Sequence, residues 1–77
     1  MKEKILDILN AMDDSIDYES ETALIDDKVI DSLTLTALIS ELENEFDIEI
    51  DMDELVPENF NTVDAMAELV GRLQEEQ

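Results

Sequence analysis

Asp31-Ser32-Leu33-Thr34-Leu35-Thr36-Ala37-Leu38-Ile39-Ser40-Glu41-Leu42-Glu43-Asn44-Glu45-Phe46 carries its large apolar side chains at helical spacing. Leu35, Leu38, Ile39, Leu42 and Phe46 fall at i, i+3, i+4, i+7 and i+11, a stripe that a helix gathers on one face. At about 100° per residue, Leu33, Thr36, Ala37, Ser40 and Asn44 occupy the opposite face, small or weakly polar apart from Leu33, with Glu41 and Glu43 on its flanks. The stripe needs cover from other elements; the opposite face does not. At the head, Asp31 and Ser32 are both residue types whose side chains accept from exposed backbone amides, so the helix begins there with one or the other as its cap. Leu33, immediately behind, is an apolar residue that folding does not require on that face.

Toward the N-terminus, Ile5, Ile8, Leu9 and Met12 repeat at i, i+3, i+4 and i+7, with Leu6 at the margin, and predict a helix over residues 3–12. Between Asp13 and Asp31 the period fades, although Ile16, Tyr18, Leu24, Ile25, Val29 and Ile30 are scattered through the stretch. A connection this long inside a small domain is expected to be tied down by those side chains. Toward the C-terminus, acids and apolar residues alternate from Asp47 to Asp53. A lone strand has no partner here, so the segment reads as an extended loop burying Ile48 and Ile50. Pro57, with Glu58, Asn59 and Phe60 behind it, suits the first turn of a short helix. Asn61 or Thr62 then caps a last helix whose stripe is Val63, Met66, Ala67, Val70 and Leu73, with Leu69 beside it; the polar tail from Gln74 to Gln77 is expected to fray. The fold expected is all-α: a small four-helix bundle of three main helices and one short helix, with a long loop between the first two, in one domain spanning 1–77.

Composition narrows the function. The 77 residues include neither Cys nor His, which removes disulfides, thiolate nucleophiles, the usual zinc ligands and the side chain best suited to proton transfer near neutrality. Carboxylates are plentiful, yet acid–base catalysis needs a shaped, partly dry pocket, and a core this small leaves little room for one. No catalytic residue, no metal ligand and no enzyme activity of its own are expected. A formal net charge of -19 disfavours nucleic acid and anionic lipid and favours partners with basic patches. So acidic a composition is also a signature of disorder, but the apolar periodicity argues for a fold. No apolar span of about twenty residues and no basic, apolar leader occur, so a cytoplasmic protein that is not membrane-inserted is expected; a monomer is expected as well.

The order of elements and the residues around Ser32 resemble the phosphopantetheine-binding carrier proteins, the acyl carrier protein family. The resemblance covers nearly the whole chain. It is carried by Leu24-Ile25-Asp26, Val29-Ile30 and Asp31-Ser32-Leu33, by the stripe ending Leu42-Glu43-Asn44-Glu45-Phe46, by Ile48-Glu49-Ile50, and by Pro57-Glu58-Asn59-Phe60-Asn61-Thr62-Val63. It implies a carrier that holds acyl intermediates as thioesters on a 4′-phosphopantetheine arm, covalently attached to Ser32 by a separate phosphopantetheinyl transferase. It also implies Asp31 as the acid before that serine and Leu33 as the apolar residue after it. Leu33, Thr36, Ala37, Ser40, Glu41, Glu43 and Asn44 would form the docking face for loading ligases and for acyl transferases or synthases with basic patches. An exposed helix N-terminus suits a phosphodiester, since unpaired amides and the helix dipole both favour negative charge there.

Some positions depart from the family. A loop position often held by glycine is filled by Lys28 or Val29. Fatty-acid carriers place acids where this chain has Thr34 and Ala37, and a larger apolar residue at Thr36, whereas Val29-Ile30-Asp31-Ser32 and Asn59-Phe60-Asn61-Thr62 look closer to D-alanyl or peptidyl carriers. The pathway therefore stays open between fatty acid, polyketide, nonribosomal peptide and D-alanine transfer.

Two other functions compete. Asp47, Glu49, Asp51, Asp53 and Glu58 fall at positions 1, 3, 5, 7 and 12 of a helix-loop-helix calcium site, but Met52 stands where glycine is required, Glu54 at the usual apolar position, and Pro57 near the end. An acidic interaction module would instead bind a basic surface with Ser32 unmodified.

Overall fold

In the computed structural model, which describes residues 1–76, α1 (Lys2–Met12) opens the chain and α2 (Ser32–Phe46) follows a long irregular connection. A single 3-10 turn (Met52–Glu54), a one-turn α3 (Pro57–Phe60) and α4 (Val63–Glu76) complete the described residues, among which there is no strand. The expected all-α bundle is therefore what forms: α1, α2 and α4 pack on one another, and α3 packs on α4.

Each main helix buries the stripe its spacing predicts. Ile5 and Leu9 of α1, Leu38 and Leu42 of α2, and Val63, Met66, Leu69, Val70 and Leu73 of α4 are buried in one cluster. Ile8, Met12, Leu35, Ile39, Phe46 and Ala67 are half-buried against it. Leu69 proves to be a full member of the α4 stripe, while Ala67 lies at its edge. Lys2 and Lys4 sit in the first turn of α1, where the helix dipole disfavours positive charge. Both reach other helices instead: Lys2 Nζ lies 2.9 Å from Asp64 Oδ1 of α4, and Lys4 Nζ 3.5 Å from Glu45 Oε2 of α2.

The connection between α1 and α2 is anchored as expected, by Tyr18, Leu24 and Ile30 in the core and by Ile16, Ile25 and Val29 against it. The Tyr18 hydroxyl donates to the carbonyls of Asp13 (2.8 Å) and Leu9 (3.2 Å), adding to the bond that the Leu9 carbonyl already accepts from the Asp13 amide at the C-terminal end of α1. Burial, with Asp13 and Asp14 adding to it, pushes the Tyr18 hydroxyl to a higher pKa.

Two details differ from the sequence reading, and one choice that it left open is decided. The segment after α2 is not extended throughout: Ile48 is buried and Ile50 half-buried, but Met52–Glu54 winds into a 3-10 turn. Arg72 of α4 holds that turn through a two-pronged bond to Glu54, Nη1 to Oε2 at 2.7 Å and Nη2 to Oε1 at 3.3 Å, a pairing between distant residues that periodicity cannot register. The tail expected to fray stays helical through Glu76; Gln77 lies outside the described residues. Thr62, not Asn61, caps α4, its Oγ1 accepting from the Ala65 amide at 2.9 Å, because Asn61 is engaged elsewhere.

Candidate functional site

The elements that present Ser32 begin with Asn61. Its backbone carbonyl accepts from the Leu24 amide at 3.0 Å, and its side-chain Oδ1 accepts from the amides of Ile25 and Asp26 at 3.0 and 3.1 Å. Its Nδ2 donates to Asp26 Oδ2 at 3.0 Å. The α3–α4 junction thus suspends the loop that leads into α2. That loop closes on itself, with Asp27 N donating to Ala23 O (2.8 Å), Lys28 N to Ile25 O (3.0 Å) and Ile30 N to Leu24 O (3.0 Å). Buried Ile30 then fixes the point at which Asp31 and Ser32 emerge.

Closing so tight a loop puts Lys28 at φ 58, in the left-handed region. Lys28, and not Val29, therefore occupies the place that suits glycine. A side chain there costs roughly 1–2 kcal/mol, part of which glycine gives back as about 0.5–1 kcal/mol of unfolded-chain entropy. Lys28→Gly is accordingly expected to stabilise the fold by roughly 1 kcal/mol, read as a raised denaturation midpoint at unchanged slope.

Asp31 settles the question of the cap. Its Oδ1 accepts from the Thr34 amide at 2.8 Å, and its carbonyl accepts from the Leu35 amide at 2.8 Å. The bond from Thr34 holds the Asp31 carboxyl below its ordinary range. The lowered value means that the cap stabilises the fold fully above the unfolded carboxylate range and loses that contribution as pH falls through the folded value. Asp31→Asn keeps an acceptor that takes up no proton. Melts followed by circular dichroism from about pH 6 to about pH 2 are expected to fall less steeply in this variant than in the wild type.

Because Asp31 caps, Ser32 is released from that task. Its side chain is exposed at the first helical position, and its hydroxyl makes no hydrogen bond among the described residues. Of the other serines, Ser15 Oγ donates to Asp13 Oδ1 and Ser20 Oγ to Asp17 Oδ2, each at 2.6 Å, and Ser40 lies in mid-helix. Ser32 also borders an open recess of ≈ 390 Å³ with Ile25, Lys28, Ile30, Asp31 and Leu35.

Beyond Ser32, Leu33 is 84% exposed, and Thr36, Ala37, Ser40, Glu41 and Asn44 are exposed along the same helix. Thr36 Oγ1 donates back to the Ser32 carbonyl at 2.9 Å. Glu43 differs from the rest of the expected docking face: it is half-buried, and its Oε2 accepts from the Ile50 amide at 2.9 Å, so it holds the segment after α2 in place. The segment between α2 and α3 exposes Met52, Leu55 and Val56, of which the sequence reading singled out only Met52, and that as an obstacle to a calcium loop. Asp47, Glu49 and Asp51 border a recess with Glu76, but no group of three or more carboxylates is placed to hold a metal ion among the described residues. No helix among them is long and apolar enough to cross a membrane.

Residues 1–70 match the family described as "Phosphopantetheine attachment site". The chain is 41% identical over 76 residues to a D-alanyl carrier protein of Streptococcus uberis, covering 96% of this chain and 95% of that one. To a D-alanyl carrier protein of Lactococcus lactis subsp. lactis it is 31% identical over 78 residues, 99% of each chain. A "Probable acyl carrier protein PigG" of Serratia sp. is 38% identical over 55 residues, 71% of this chain and 63% of that one. No solved structure matches. A helical bundle that holds a serine free at a helix head, in a sequence that matches this family over most of its length, has one explanation: the chain belongs to the phosphopantetheine attachment-site family, whose members are not enzymes but carriers that bear phosphopantetheine covalently on a serine.

Proposed function

We propose that Ser32 is the serine that bears the phosphopantetheine, and that the cargo is an aminoacyl group of the D-alanyl type. The observation that carries the first part is the division of labour at the head of α2, where Asp31 caps and the Ser32 hydroxyl is left exposed without a hydrogen bond. In the attachment, Ser32 Oγ forms a bond to phosphorus as the pyrophosphate link of coenzyme A breaks, adenosine 3′,5′-bisphosphate leaves, and the hydroxyl proton passes to a base on the transferase. The residues present fit the product. A phosphodiester on Ser32 would lie at the positive end of the helix dipole beside amides with no intrahelical partner. When bound, the group supplies the terminal thiol that a chain without cysteine lacks, and cargo is held on it as a thioester. Tethering then raises the concentration of that cargo at successive active sites.

The relatives aligned over nearly their whole length are D-alanyl carrier proteins, which supports the aminoacyl reading. An ammonium-bearing cargo also suits a protein with 23 acids against 4 bases. The partners this implies are a phosphopantetheinyl transferase, an aminoacyl-loading ligase and an acceptor enzyme, each with a basic patch for the exposed face of α2. The setting implied is the cytoplasm, with one carrier domain acting as a monomer. An acyl cargo is the second reading, supported by the match to the probable acyl carrier protein and by the apolar side chains that border Ser32.

The test offers the phosphopantetheine-loaded protein, with ATP, either to a D-alanine-activating ligase or to a fatty-acyl ligase, and follows intact mass. A gain of one alanyl group with the first and no gain with the second is expected. The reverse pattern would overturn the aminoacyl reading.

A further inference from the structure

Three of the four basic side chains form ion pairs among the described residues: Lys2 with Asp64, Lys4 with Glu45, and Arg72 with Glu54 and Glu76. Lys28 forms none, although Asp26, Asp27 and Asp31 are close to it in the chain. It is exposed and borders the same recess as Ser32, with Ile25, Ile30 and Leu35 as the apolar part of the lining. The position is well fixed, since the Lys28 amide is bonded to Ile25 O and the loop is shut by Ile30 N to Leu24 O. It is also held at a φ that lysine disfavours and glycine adopts freely.

We infer that Lys28 is a positioning residue for the arm: its ammonium pairs with the phosphodiester on Ser32 and draws the first part of the arm into the recess over Ile25, Ile30 and Leu35. This rests on the assignment of Ser32 above. The charge arithmetic favours it. Esterification adds an ionised phosphodiester beside Asp31 on a protein whose net charge is already -19. The free amides at the helix head offset part of that repulsion, and Lys28 is a cation at the same recess with no carboxylate engaging it. Lysine suits the task because its ammonium is a compact point charge on a flexible stem, so it follows a tethered phosphate without fixing its orientation. The recess is open to solvent, so an arm resting there would leave readily for a partner enzyme.

The experiment converts wild type, Lys28→Gln and Lys28→Arg to the loaded form with coenzyme A and excess transferase, and checks each by intact mass. Failure of the wild type to gain mass would overturn the Ser32 assignment itself, and this inference with it. With loaded protein in hand, methyl spectra are compared with those of the unloaded form, and the phosphorus resonance is recorded at low and high salt. Loading is expected to shift the methyl signals of Ile25, Ile30 and Leu35 in the wild type and in Lys28→Arg, and to shift them by about twofold less or smaller still in Lys28→Gln. The phosphorus signals of wild type and Lys28→Gln should differ at low salt and converge at high salt, as screening removes the pair. Equal methyl shifts in wild type and Lys28→Gln, or phosphorus signals that coincide at low salt, would overturn the role of Lys28 while leaving Ser32 as the attachment point.

Discussion

Ser32→Ala is expected to abolish loading by a phosphopantetheinyl transferase outright, while the bundle stays folded and melts within about 0.5 kcal/mol of the wild type. The two halves of this result have separate causes. The hydroxyl is the nucleophile and nothing replaces it. Yet it is exposed and bonded to nothing in the fold, and alanine is the residue most easily accommodated in a helix. Asp31→Ala, one residue earlier, retains the nucleophile but removes the acceptor of the Thr34 amide, and is expected to cost about 0.5–2 kcal/mol of stability. Intact mass for loading and circular dichroism for folding separate the two variants. A Ser32→Ala protein that still gained mass would place the modification elsewhere.

Phe60→Ala is expected to cost about 3–5 kcal/mol. Phe60 is buried, at 1% exposure, yet it sits in a helix of four residues, far too short to hold itself together. Its ring anchors α3 in the common core, and the next residue, Asn61, suspends the loop before Ser32. A domain of this size has only about 4–12 kcal/mol of stability in all, so the change removes a large share of it. A drop of roughly 15–30 °C in melting temperature follows, measured on the unloaded protein, and loading at temperatures near the new midpoint should slow with it. Leu33→Ala serves as the control, since a side chain 84% exposed contributes little to the fold. A Phe60→Ala protein as stable as the Leu33→Ala control would mean that α3 is held by something other than this ring.

Much of the bundle was legible because its helices bury one stripe each. Leu38, Leu42, Met66 and Val70 are all wholly buried and all lie at the spacing that marks a helix face. Pro57 declared the start of α3 for a local reason too, since its ring disfavours helical geometry in the residue before it, and Val56 is extended. What escaped the sequence depends on partners far along the chain. Asn61 looked like a cap, a local role open to any asparagine before a helix, and its bonds to residues 35 and 36 positions away carry no periodic signal. Glu43, expected on the docking face, is instead bonded to the Ile50 amide. Arg72 and Glu54 likewise meet only through the packing of α4. At the site, the resemblance singled out Ser32, but which of Asp31 and Ser32 caps the helix is a matter of geometry, because both types do so equally well. Lys28 was visible only as a departure from glycine; its positive φ and its lack of an ion pair gave it meaning.

Fragmentation mass spectrometry of wild-type protein loaded from coenzyme A locates the added group most directly. One phosphopantetheine on Ser32, with Ser15, Ser20 and Ser40 unmodified, is the expected outcome. An unmodified Ser32 under conditions that load a control carrier, or an arm found on another serine, would contradict it.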